Sequence, residues 1–168
     1  MSDHLNEIIG ALSDAGVNFI ICGGLAVVLH GGERVTMDID IATDFDQANI
    51  KKFLSVMARF DLVPRAPVDA EILLNREAIE TIIRDKHALV FSFINHKQPW
   101  LAIDVFLTPE MAYSRLIPDC TEVLLSGKKI PVLSPEKLLS LKMQIDPPRD
   151  KDLFDINFLQ KLLRKNEK

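Results

Sequence analysis

The stretch Asp38-Ile39-Asp40-Ile41-Ala42 decides how this chain folds. Acid and apolar residues alternate strictly, which is the two-residue period of a strand with one face in a core, so Ile39 and Ile41 point inward and both acids leave from the other face. At that spacing the two α-carbons stand roughly 6.6 Å apart. Carboxylates this close repel, which raises one pKa or weakens the strand unless a cation sits between them. A ligand set made only of oxygen suits Mg2+ or Mn2+.

Upstream, Asn18-Phe-Ile-Ile-Cys22 is a short apolar run ending in Gly23-Gly24, and the residues from Leu25 to His30 stay apolar as far as Gly31-Gly32. This reads as strand, tight glycine turn, helix. Glycines let the backbone approach an anion closely, and a helix start offers amide hydrogens without intrahelical partners, so Gly23 and Gly24 suit the β- and γ-phosphates of a nucleotide. Downstream, Trp100-Leu-Ala-Ile-Asp-Val-Phe-Leu107 is strand-like, with Asp104 facing away from Ile103 and Val105. A strand lying next to that of Asp38, about 4.8 Å away, would let Asp104 complete a three-carboxylate cluster. Two metals held there could flank a phosphorus centre, one activating an attacking hydroxyl and one stabilising leaving pyrophosphate.

The remaining segments surround this pair of strands. Leu5, Ile8, Ile9 and Leu12 recur at helical spacing behind a Ser2 cap, and Gly16 stops the run. Ile50, Phe53, Leu54, Met57 and Ala58 make another helix, ended by Pro64 and Pro67, and residues 65–86 hold one or two more. The run from Ala88 to Ile94 pairs as a hairpin with the Asp104 strand; Glu122 to Leu125 and Ile130 to Leu133 form a second hairpin across Ser126-Gly127. Ser134-Pro135-Glu136 opens a helix that Pro147-Pro148 breaks, and Asp150 or Asp152 caps a last helix carrying Leu153, Ile156, Leu159 and Leu163. Together these predict an α+β fold, a mixed β-sheet of about four to five strands flanked by helices. It is expected as one domain over residues 1–168, with a helical C-terminal part from about residue 135.

Composition sets the outer bounds. The chain has 168 residues, 48% hydrophobic and 26% charged, enough to bury a core without disulfide or metal staples. A net charge of −4 excludes a broad phosphate-neutralising surface for nucleic acid, though not a local basic groove. Cys22 and Cys120 lie in apolar segments and read as buried, unpaired thiols of a cytoplasmic protein. The most apolar stretch, Val17 to Leu29, is shorter than the roughly 20 residues a bilayer needs. The start of the chain carries Asp3 and no early basic residue, unlike a signal peptide. A protein neither secreted nor membrane-inserted is expected.

Gly23-Gly24, then Asp38-Ile-Asp40, then Asp104 on a later strand resembles the polymerase-beta-like nucleotidyltransferase superfamily. Gly23-Gly-Leu-Ala26, His30-Gly31 and Arg34-Val-Thr-Met-Asp-Ile-Asp40 are more closely similar to its minimal bacterial branch, which includes the AbiEii-type toxins. Lys142 with Arg149-Asp-Lys-Asp-Leu-Phe-Asp155 resembles that branch's closing helices. The resemblance implies transfer of a nucleoside monophosphate from an NTP to a hydroxyl with loss of pyrophosphate. Asp38 and Asp40 would hold Mg2+ or Mn2+, Asp104 would be third ligand and base, and Lys142 would approach the triphosphate. Arg34 and Thr36 match the pattern on the nucleotide side. Where many relatives have a serine after the first glycine, Gly24 offers only its amide.

Plainer readings stand beside these. Lys142 also fits the solvated face of an amphipathic helix, His30 a helix end, and Asp152 and Asp155 helix-start acids that complement a dipole. Lys161, Arg164, Lys165 and Lys168 likewise complement a helix C-terminus. Three functions follow: an enzyme modifying a protein or RNA hydroxyl, with a partner protein in a toxin–antitoxin-like pair; an inactive nucleotide- or partner-binding module of such a pair; and an enzyme acting on a small-molecule, antibiotic-type acceptor.

Overall fold

The computed structural model describes residues 3–166, so the Ser2 cap and Lys168 fall outside it. The first helix, α1 (Asp3–Asp14), stops before Gly16, whose φ of 64° continues no helix. Strand β1 (Phe19–Ile21) then runs into α2 (Gly23–Leu29), and β2 (Asp38–Thr43) carries the alternating acids. Helix α3 (Gln47–Arg59) begins at Asp46, whose carboxylate accepts from the amides of Ala48 and Asn49. Next come β3 (Leu62–Pro64), a 3-10 turn over Ala70–Leu74, α4 (Arg76–Lys86), β4 (Val90–Asn95) and β5 (Gln98–Phe106). A short helix α5 (Tyr113–Leu116) leads to the hairpin of β6 (Cys120–Leu125) and β7 (Lys128–Leu133). Helices α6 (Pro135–Lys142) and α7 (Asp150–Asn166) close the described chain.

One seven-stranded mixed sheet results, in the order β3-β4-β5-β2-β1-β7-β6. This corrects the expected four to five strands. The least legible strand is β3: three residues are too few to show a period, and Pro64 reads as a helix stop. A proline is tolerated there because β3 lies at the sheet edge, where a missing amide costs no ladder bond. Helix α6 also ends at Lys142, before Pro147-Pro148, because residues 143–149 make the turn that packs α7 back onto α6. Both expected hairpins form, the second with positive φ at Ser126 and Gly127 as a tight two-residue turn requires.

Register decides which face holds the site. Asp40 lies opposite Asp104 in the parallel pair β2–β5, and Asp104 lies opposite Ser92 in the antiparallel pair β4–β5. Phe91 and Phe93 alternate with Ser92 and are buried, like Ile39, Ile41, Ile103 and Val105. Phe53 of α3 meets Phe93 edge-on at 5.5 Å, so α3 covers the face away from the acids. Each such buried side chain contributes about 1.5–3 kcal/mol by leaving water. That apolar layer holds β2 and β5 in the register that brings the acids level. Among the described residues no helix is long and apolar enough to cross a membrane.

Candidate active site

The acids come together because β2 and β5 are parallel neighbours. Asp38, Asp40 and Asp104 place carboxylate oxygens within 4.8 Å of one another. Asp38 is fixed from the side: Thr36 donates its hydroxyl to Asp38 Oδ1 at 2.6 Å. Burial alone would push the Asp38 carboxyl up, but the Thr36 bond, with Lys151 and Arg34 nearby, holds it below the usual range. Asp40 goes the other way, to about 6, first through burial and then through Asp38 and Asp104. Asp104 Oδ1 is buried and accepts no hydrogen bond among the described residues. An orphaned carboxylate oxygen beside two more carboxylates is a donor set that fits a divalent cation.

Gly23 and Gly24 are the first residues of α2 itself, not a turn ahead of it, with Cys22 at the cap position. Gly23 has a φ of 58°, and a Cβ there would lie 1.8 Å from Asp40 Oδ2. The glycine is therefore needed twice, for the left-handed backbone and for the carboxylate behind it. Gly24 points its amide toward the same oxygen at 3.4 Å.

A cleft of about 520 Å³ opens over this cluster, lined by Gly23, Gly24, Arg34, Asp38, Asp40, Asp104 and Lys142, with Arg149 and Lys151. Its cations come from the loop before β2, the end of α6, the α6–α7 turn and the start of α7. The ends of β4 and β5 add Val90 and Phe106, with Leu89 just before β4. Thr36 stays outside the cleft wall and acts on Asp38.

Lys142 is not on a solvated face: it is 8% exposed, with Nζ 2.8 Å from Asp155 and 3.3 Å from Asp152. Those two acids, both fully buried, also take Arg34 (2.7 Å) and Arg149 (2.6 Å). Asp152 does lie in the first turn of α7, where its carboxylate accepts from the Arg149 amide, and its carboxyl is held far below the usual range chiefly by Arg149. Asp155 lies about a turn further on, where it holds Arg34 and Lys142. Sequence reasoning missed this arrangement; the one available signal was two acids three apart on the helix that also buries Leu159, placing them on its inner face. His30 ends α2, as expected, and meets the Leu133 carbonyl at 2.9 Å. The two cysteines are unpaired, but Cys120, at the edge strand β6, is only half-buried.

Similarity to known proteins points the same way. Solved structures sharing the fold include the lincosamide antibiotic adenylyltransferase LnuA with lincomycin bound, at a TM-score of 0.65 and 16% identity over 96% of this chain and 98% of that one. The antibiotic-resistance enzyme ANT(2″)-Ia in complex with adenylyl-2″-tobramycin gives 0.63 and 14% over 98% and 90%. An antigenic nucleotidyltransferase-like protein from Paracoccidioides brasiliensis gives 0.60 and 18% over 95% and 74%. No curated protein matches the sequence. A family model described as the nucleotidyl transferase AbiEii toxin of type IV toxin–antitoxin systems matches residues 8–167. With nearly its whole length matched by that model, and a cleft that sets carboxylates against cations, the chain belongs to the AbiEii family of nucleotidyltransferases.

Proposed function

We propose that this nucleotidyltransferase moves a nucleoside monophosphate from an NTP to a hydroxyl of a protein or RNA acceptor. The observation that carries the reading is one cleft lined both by Asp38, Asp40 and Asp104 and by Arg34, Lys142, Arg149 and Lys151. The three acids would hold Mg2+ or Mn2+, which supplies charge neutralisation at the phosphorus and activates the acceptor oxygen. Gly23, Gly24, Arg34 and Lys142 receive the triphosphate, while Thr36 orients Asp38. The acceptor oxygen bonds to the α-phosphorus as the bond to pyrophosphate breaks, and Asp104 takes the hydroxyl proton. Pyrophosphate leaves along the cationic wall.

A test incubates the protein with Mg2+, each labelled NTP and a lysate fractionated into protein, RNA and small molecules. Label transfer that Asp40→Asn abolishes supports the reading. Nucleotide binding without transfer to any fraction would instead favour an inactive nucleotide-binding module, working with a partner protein as the family's toxin–antitoxin description suggests. A small-molecule acceptor is the second reading: the cleft wall beside Asp104 is apolar, through Leu89, Val90 and Phe106, and two structures of this fold carry antibiotic chemistry. Label confined to the small-molecule fraction would establish it.

A further inference from the structure

Gly24 does not occupy the left-handed region, so its backbone alone does not call for glycine. What lies over it does. A Cβ on Gly24 would stand 2.8 Å from Arg34 Nη2 and 2.9 Å from both Cζ and Nη1. The tip of an arginine ordinarily swings out of the way at little cost. Here it is tied: Nη1 lies 2.7 Å from Asp155 Oδ2, the Asp155 side chain is 0% exposed and that of Arg34 is 14% exposed. Nε donates to the Val35 carbonyl at 3.4 Å, and Nη2 donates to no protein atom among the described residues. A planar cation is thus clamped on a bare α-carbon in the cleft, with one of its NH2 groups uncommitted.

We propose that Arg34 is a phosphate-binding residue seated on Gly24, with Nη2 donating to the nucleotide's triphosphate, and that Asp155 is the residue that positions it. The assignment rests on the nucleotide reading given under Proposed function. Asp155 also holds Lys142, so a single buried carboxylate from α7 presents two cations to the same anion. Glycine at position 24 is there to admit the guanidinium.

Calorimetric titration with inorganic tripolyphosphate in the presence of Mg2+ tests this without knowledge of the base. Arg34→Ala and Gly24→Ala are each expected to weaken binding about 10- to 100-fold, the value of a charge-assisted hydrogen bond. The double variant should be no weaker than the weaker single one, because both lose the same contact. Gly24→Ala should cost little in an Asp155→Asn background, where the guanidinium is already released; a merely structural Asp155 would leave the Gly24→Ala cost unchanged. Thermal melts verify folding, and Arg34→Gln replaces Arg34→Ala if the alanine variant does not fold. Unaltered affinity in the Arg34 variant, a harmless Gly24→Ala, or additive costs would overturn the proposal while leaving nucleotide binding in place. A wild-type protein that ignores tripolyphosphate would overturn the nucleotide reading and this one with it.

Discussion

Replacing Gly23 with alanine separates two costs that the structure places at one residue. The φ of 58° puts an L-residue in the left-handed region, at about 1–2 kcal/mol. The new Cβ would also lie 1.8 Å from Asp40 Oδ2, so the carboxylate has to move within a packed site, for which overpacking costs of about 1–3 kcal/mol are usual. Together they lower stability by about 2–5 kcal/mol, and at about 2–4 °C per kcal/mol the melting temperature falls by roughly 5–20 °C. Gly127→Ala is the control, since Gly127 has a φ of 80° with nothing within 4 Å of its Cβ position and therefore bears only the backbone cost. Urea denaturation of the two variants, subtracted, isolates the collision with Asp40, and calorimetric Mg2+ titration tests whether the proposed ion site survives it. Equal destabilisation of the two variants with Mg2+ affinity intact in Gly23→Ala would refute the account of why glycine stands at position 23.

Asp40, with its carboxyl pushed up to about 6, binds a proton in the folded protein that it releases near 3.8 when unfolded, so its contribution to metal-free stability declines as pH rises from about 4 to about 6. Asp40→Asn should therefore stabilise the metal-free protein at pH above about 6, by up to about 3 kcal/mol, while abolishing transfer; denaturation of both proteins across that range in EDTA measures it. Phe93→Ala removes a fully buried ring that packs on Phe53 and is expected to cost about 3–5 kcal/mol by urea titration, with Mg2+ affinity of the folded fraction unchanged. Burial raises both thiols, that of Cys120 to about 11, so iodoacetamide at neutral pH should label neither quickly until guanidinium unfolds the chain; rapid labelling of Cys22 in the native state would contradict its burial.

The acidic half of the site was legible in the sequence, and the physical reason is local. Asp38 and Asp40 advertise themselves by strict alternation with Ile39 and Ile41, and Asp104 by its place between Ile103 and Val105; each pattern lies within a few residues. Their level alignment follows once β2 and β5 pair in parallel. The cationic half was not legible from any local pattern: Arg34 and Lys142 entered only through the family resemblance. Lys142 reads as an ordinary helix lysine until Asp155 is known to be buried beside it, and Arg34 and Asp155 are separated by 121 positions. No periodicity reports a pair so distant. The seating of Arg34 on Gly24 is equally invisible, because a glycine that admits a neighbour looks the same in sequence as a glycine that makes a turn. Strand β3 escaped for a different reason: its pairing with β4 comes from an edge position, not from any pattern in Leu62–Pro64.

The ion pair between Arg34 and Asp155 also bears on the order in which a ribosome delivers this chain. The chain leaves the ribosome N-terminus first. The three carboxylates are all present once β5 has appeared, yet the partner that holds Arg34 and Lys142 arrives only with α7, over Asp150–Asn166. A nascent or prematurely ended polypeptide thus carries the acidic cluster with no ordered counter-charge facing it.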